Sequence, residues 1–114
     1  MKLLAIVEVL GANYDILEST ESEDADLEGI EGYCDHTVHR IVINTFEPGD
    51  GNYADLDAFR QRIVRHELIH AFLAESGLAE DSWASNEEIV DWIARQFPKM
   101  LEAFKHAGAL EEER

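Results

Sequence analysis

The chain has 114 residues, nearly half of them apolar, which suffices for one domain with a modest hydrophobic core. Its formal charge of −16 argues against binding to nucleic acids or to anionic membrane surfaces. No apolar run approaches the length of a membrane span, and the run Leu3–Val7 is too short for a signal peptide. The single cysteine, Cys34, excludes an internal disulfide. Together these features predict a cytoplasmic protein.

The first half of the sequence predicts β-strands. Apolar and β-branched residues are concentrated at 3–10 and 14–18, and residues 32–36 and 38–46 have the pattern of a hairpin. The acidic stretch 18–31 predicts a solvated loop or an irregular edge, and the turn residues at 47–52 end the strand region. Because helical patterns follow the strands, the sequence predicts a single α+β domain over residues 1–114.

The segment Asp57–Ser76 lacks Gly and Pro and is followed by Gly77, which predicts a long helix. Apolar residues on nearly all of its faces predict that this helix is buried. It contains His66 and His70 four residues apart, a spacing that puts both imidazoles on one face, where they can bind one Zn²⁺. Glu67 would then be the general base of a metallohydrolase. Alternatively, both histidines are core residues bonded to backbone carbonyls.

Residues 85–97 predict a second helix, with Ser85 as its N-cap and Glu88 as its capping-box partner. Pro98 predicts either a kink or the start of a further helix that ends near Gly108. The apolar residues of this segment form one stripe with Val90 and Ala94 on its flank: Ile89, Trp92, Ile93, Gln96, Phe97 and Met100. Glu87 lies at the edge of that flank and Asp91 lies farther round, toward the polar side, so the apolar stripe is in tension with a buried role for these two carboxylates.

The H-E-x-x-H sequence at 66–70, followed by N-E-x-x-x-D at 86–91, resembles the gluzincin metallopeptidases over residues 57–98. The length is similar to that of minigluzincins and of small zincin-like proteins from phages and prophages. The resemblance implies a zincin-like domain with zinc as cofactor, in which Glu87 is the third ligand beside His66 and His70. It also implies that Asp91 orients one ligand histidine. Glu88 is the competing choice for the third ligand, and both glutamates can instead be solvated helix carboxylates.

The resemblance further implies that the strand at 38–46 forms the upper rim of a cleft and pairs with an extended substrate. The predicted function is hydrolysis of peptide bonds in a peptide or protein substrate, by zinc-activated water with Glu67 as general base. The sequence does not identify the group that stabilises the oxyanion, for which the candidates are Tyr33, His36, His39, Tyr53 and His106. One alternative is a zinc-binding scaffold without protease activity that acts as a phage or prophage interaction protein. Another is an acidic interaction protein whose histidine motif is accidental.

Overall fold

A computed structural model describes residues 1–47, 54–80 and 82–110 and confirms the predicted α+β class. Most of the predicted turn cluster, Tyr53 and the acidic tail at 111–113 lie outside the described residues. Four strands are followed by two helices of 20 residues each. The elements are β1 (Lys2–Val9), β2 (Ala12–Ser19), β3 (Gly32–Asp35), β4 (Arg40–Asn44), α1 (Leu56–Glu75) and α2 (Glu87–His106).

The strands form one mixed sheet in the order β1-β2-β4-β3. A two-residue turn at Leu10 and Gly11, both with positive φ, connects β1 to antiparallel β2, as expected for a tight hairpin. Strand β4 runs parallel to β2 and antiparallel to β3. Both edges of β4 are therefore already paired, so the prediction that residues 38–46 form a substrate-pairing rim is wrong. The open edge on that side of the sheet belongs to β3.

Helix α1 packs against one face of the sheet. Ile41 and Ile43 alternate along β4 toward this face and join Phe59 and Ile63 of α1 in the hydrophobic core. The α1 residues that are buried follow a spacing of four, which marks one stripe rather than the whole circumference: Phe59, Ile63, Glu67 and Ala71. The expectation that α1 is buried on nearly all sides is therefore wrong; Phe72, for example, is 44% exposed.

The opposite face of the sheet is covered in part by the acidic segment that follows β2. Leu27, in a short 3₁₀ turn, is fully buried. The amide nitrogen of Asn44 donates hydrogen bonds to the carbonyl oxygens of Leu27 and Ile30 at 3.4 and 3.1 Å, so the segment is attached to β4. Of the two predictions for 18–31, a fully solvated loop is therefore excluded for the part around Leu27, which packs on the sheet.

Helix α2 begins one residue later than the predicted cap implies. Asn86, rather than Ser85, is the N-cap, and its side-chain oxygen accepts the backbone N–H groups of Glu88 and Ile89. The buried residues of α2 are Val90 and Ala94. The buried face is therefore centred on the predicted flank of the apolar stripe and not on the stripe itself. Three of its large residues, Ile89, Trp92 and Phe97, are 40 to 55% exposed.

Helix α2 continues through Pro98 to His106, so Pro98 neither ends it nor starts a new helix. Proline has no N–H, and the carbonyl of Ala94, four residues earlier, therefore lacks its helical donor. Arg65 of α1 replaces that donor, with its Nε 2.7 Å from the Ala94 oxygen. This bond joins the two helices where they pack. Neither helix, within the part of the chain that the structure describes, has the length and apolar content needed to cross a membrane.

Candidate metal centre

Three potential ligands converge where the first turn of α2 meets the middle of α1. His66 and His70 lie one helical turn apart, with ring centroids separated by 5.0 Å. Glu87, the first residue of α2, places one carboxylate oxygen 3.0 Å from His66 Nε2 and the other 2.9 Å from His70 Nε2. All three donor atoms lie within 4.8 Å of one another. The packing of α2 on α1 therefore produces the cluster, which no single element contains.

The donor set fits a metal ion. Two imidazole nitrogens and one carboxylate oxygen are a common three-ligand set for a divalent transition metal with one position left open. The side chains of His66 and His70 are 21 and 25% exposed and that of Glu87 is 68% exposed, so solvent can reach the centre. Neither imidazole bonds a backbone carbonyl among the described residues, which excludes the core-histidine interpretation there. The group His66, His70 and Glu87 can hold a metal ion.

A further carboxylate, that of Asp91, lies behind the ring of His66. The Nδ1 atom of His66 lies 3.5 Å from Asp91, and Arg95 donates from Nε to the other oxygen of Asp91 at 2.7 Å. The hydrogen bond from Arg95, followed by the interaction with His66, holds the pKa of Asp91 below its ordinary value. With Nδ1 engaged by Asp91, His66 directs Nε2 toward Glu87.

Glu67 lies between the two histidines in sequence, but its side chain faces the sheet. It is only 7% exposed. Burial raises the pKa of Glu67 to about 7, with smaller upward contributions from Glu87 and Glu31 and a downward one from His66. A carboxyl group with a pKa near neutrality can both accept and donate a proton at neutral pH. Glu67 is thus a buried, titratable carboxyl group beside the histidine pair.

Two cavities, each of about 360 Å³, flank Glu67 along the open edge of β3. One contains Cys34, His36 and His70 in its wall, and the other contains Glu31, Arg62 and Asp91. Together they form a continuous surface on both sides of the ligand cluster. The edge strand β3 is thus the extended backbone nearest to the cluster.

Gly32, at the start of β3, sets the distance between this strand and α1. A Cβ atom at this position would lie 2.9 Å from the carbonyl oxygen of Val42 and 3.2 Å from a methyl group of Ile63. The first contact is with backbone and cannot be relieved by a rotamer change. Any larger residue would therefore have to displace β3 relative to β4, and it would also crowd Ile63 of α1.

The candidate oxyanion donors occupy different environments. Tyr33 and His36 line the cavity beside His70, but the Tyr33 hydroxyl donates to Asp24. His39 lies outside the cleft, 3.7 Å from Glu75. His106 lies at the end of α2 beside Glu102, and Tyr53 lies outside the described residues. His36 is therefore the one candidate among the described residues whose side chain lines the cleft without such a partner.

Arg95 and Arg65 were not identified from the sequence. Arg95 follows Asp91 by four residues, a helical ion-pair spacing that the sequence does contain. No spacing in the sequence indicates the bond that Arg65 makes, because its partner is a backbone carbonyl on another helix. Cys34 lies in β3 and packs against the core, and burial raises the pKa of its thiol to about 12.

Comparisons of the chain with protein-family models, with curated proteins and with solved structures found no match.

Proposed function

We propose that this chain is a zinc-dependent metallopeptidase with a zincin-like active site. One observation carries the proposal: His66, His70 and Glu87 converge, and the buried Glu67 lies beside them. An acidic chain has many surface carboxylates, but a buried glutamate with a pKa near 7 beside a three-donor cluster is not explained by surface charge. The gluzincin-like sequence pattern gives the same assignment independently of the geometry.

In this proposal His66, His70 and Glu87 hold zinc, and Asp91 orients His66. Zinc bound there supplies Lewis acidity, the property by which metallohydrolases activate water and polarise carbonyl groups. The Glu67 carboxylate accepts a proton from the water whose oxygen attacks the peptide carbonyl carbon. It then returns this proton to the nitrogen of the leaving amine as the C–N bond breaks. The raised pKa of Glu67 suits both steps.

The substrate in this proposal is an extended peptide that adds to the open edge of β3. An unpaired strand edge offers backbone donors and acceptors, and β-strand addition is a common mode of peptide recognition. His36, at the end of β3, is the side chain that we assign to oxyanion stabilisation. Because its imidazole must donate a hydrogen bond in this role, His36→Phe should lower kcat and leave zinc content unchanged.

A zinc-binding scaffold without peptidase activity is the second candidate. The observation that favours it is the length of β3, which has only four residues and can pair with only a short peptide segment. Few substrate contacts mean little binding energy available for catalysis. Zinc binding without turnover would distinguish this scaffold from the enzyme.

The experiment begins with metal analysis of protein purified without added zinc, for which we expect one zinc per chain. Hydrolysis of an unstructured peptide is then compared between wild type, Glu67→Gln and the control Glu88→Gln, a nearby exposed glutamate outside the cluster. We expect Glu67→Gln to keep zinc and lose about 10²–10⁴-fold in rate. A Glu67→Gln variant as active as wild type would refute the mechanism. Zinc-loaded wild type that cleaves no flexible peptide would favour the scaffold.

A further inference from the structure

A second cavity system lies apart from the metal ligands, between the first half of α1 and the middle of α2. Its volume is about 360 Å³. The cavity is lined by four cationic side chains, those of Arg62, Arg65, Arg95 and Lys99. The whole chain contains only nine lysines and arginines. The basic residues of a strongly acidic protein are thus concentrated at one place. We call this cavity the basic pocket.

The basic pocket carries a local charge opposite to that of the protein. Asp55 is the one carboxylate among its lining residues, and Asp91 lies directly beside the pocket, with its Oδ2 atom 2.7 Å from Nε of Arg95. With both carboxylates counted, four cations and two anions leave a formal charge of +2. Asp55 is also engaged as the N-cap of α1, where it accepts the N–H of Ala58 at 3.0 Å.

Several hydrogen-bond donors in the basic pocket can bind an anionic ligand. Arg65 uses its Nε for Ala94, and its terminal nitrogens have no hydrogen-bond partner among the described residues. Lys99 has no ion-pair partner among the same residues. The first turn of α1 also contributes, because Ala58 lines the pocket and the positive end of the helix dipole lies there. Gln96 adds an amide that can donate to an anion.

We propose that the basic pocket binds a phosphate group. Guanidinium groups form paired hydrogen bonds with the oxygens of phosphate, and the ammonium group of Lys99 adds a point charge. A local charge of +2 fits a ligand of charge near −2 better than a singly charged carboxylate. Both a free phosphate ion and a phosphomonoester on a small molecule offer this chemistry.

The basic pocket is a separate cavity from the metal centre, and neither His70 nor Glu87 lines it. The two sites are neighbours, because Arg95 of the pocket also bonds Asp91 beside His66. The test therefore uses the full chain in the presence of a chelator, so that phosphate cannot bind through zinc. Failure of this test would leave the peptidase proposal intact, and failure of the peptidase proposal would leave phosphate binding intact.

The experiment is a titration with inorganic phosphate and with phosphoserine at constant ionic strength in chloride buffer, followed by backbone amide chemical shifts. We expect saturable shifts centred on residues 58–65 and 95–99. Lys99→Gln should weaken binding roughly two- to fivefold, as expected for one exposed ion pair. Combining it with Arg62→Gln should abolish saturation. The matched control is Lys105→Gln, which removes the same charge from the same helix outside the pocket.

The relative affinities of the two probes assign the source of the phosphate: tighter binding of phosphoserine indicates a phosphomonoester, and tighter binding of inorganic phosphate indicates the free ion. Three results would overturn the proposal. The first is no saturable shift at millimolar phosphate. The second is equal weakening by Lys105→Gln and Lys99→Gln. The third is equal affinity for phosphate and for succinate, which would assign the pocket to carboxylates.

Discussion

The bond between Arg65 and Ala94 predicts that Arg65 and Pro98 are energetically coupled. Pro98 removes the helical donor to the Ala94 carbonyl, and Arg65 supplies another at 2.7 Å. Replacing Arg65 with Met keeps the apolar stem and removes the donor. A hydrogen bond from a charged donor is worth about 1.5–3 kcal/mol net, so we expect Arg65→Met to lower the free energy of unfolding by that amount.

The second perturbation is Pro98→Ala, which restores an N–H four residues after Ala94. In that background the Ala94 carbonyl has its helical partner again, and loss of Arg65 should matter less. We therefore expect Arg65→Met to be less destabilising in Pro98→Ala than in wild type, with a coupling of roughly 1–2 kcal/mol between the two sites. Pro98→Ala alone should stabilise the helix by up to about 3 kcal/mol.

The assay is urea unfolding of wild type, both single variants and the double variant, monitored by far-ultraviolet circular dichroism. Chelator and a phosphate-free buffer remove contributions from metal and from the basic pocket. The same variants report on function, because docking of α2 on α1 is what carries Glu87 to the two histidines. Arg65→Met should lower zinc affinity, and Pro98→Ala should restore part of it. Strictly additive unfolding energies would refute the assignment of Arg65 as the replacement donor.

Three further predictions follow from the site and the core. Glu87→Ala should lower zinc affinity by at least tenfold, measured by competition with a chromophoric chelator. Glu88 lies outside the cluster, so Glu88→Ala should leave zinc affinity within twofold of wild type. The reverse order would assign the third ligand to Glu88. Gly32→Ala should destabilise the protein by about 1–3 kcal/mol, because the new methyl group meets the Val42 carbonyl. It should also reduce peptidase activity more than zinc content. An unchanged unfolding midpoint would contradict the close approach of Gly32 to Val42. Burial raises the pKa of both Tyr14 and Tyr33 from 10.0 to about 12, so the stability that they contribute is complete below pH 10 and is lost between pH 10 and 12. Unfolding midpoints measured across that range should fall in wild type and fall less in Tyr14→Phe.

The elements of this fold were largely predictable because they depend on local patterns. Strand β4 combines β-branched residues with flanking turns, and α1 has a clear cap and a clear stop. The spacing of His66 and His70 within one helix was equally local. Their placement on a common face needed nothing beyond helical geometry.

The orientation of α2 was not predictable by the same reasoning. The hydrophobic stripe through Trp92 and Phe97 is the obvious candidate for burial, yet Val90 and Ala94 face α1. Small side chains let two helices approach closely, and the Arg65 bond to Ala94 requires that approach. Hydrophobic periodicity measures how apolar a face is. It contains no information about interhelical distance or about a carbonyl left without a donor by a proline.

The same orientation explains how the ligand cluster forms. If the Trp92 stripe faced α1, the helix would be rotated so that Glu87 and Asp91 lay farther round, away from His66. Packing through Val90 and Ala94 instead puts Glu87 and Asp91 on the side of α2 that meets His66. The sequence pattern suggested both carboxylates, and its apparent conflict with the apolar stripe came from assigning the wrong face to the core. The exposed stripe is thus a consequence of the rotation that brings Glu87 to the histidines.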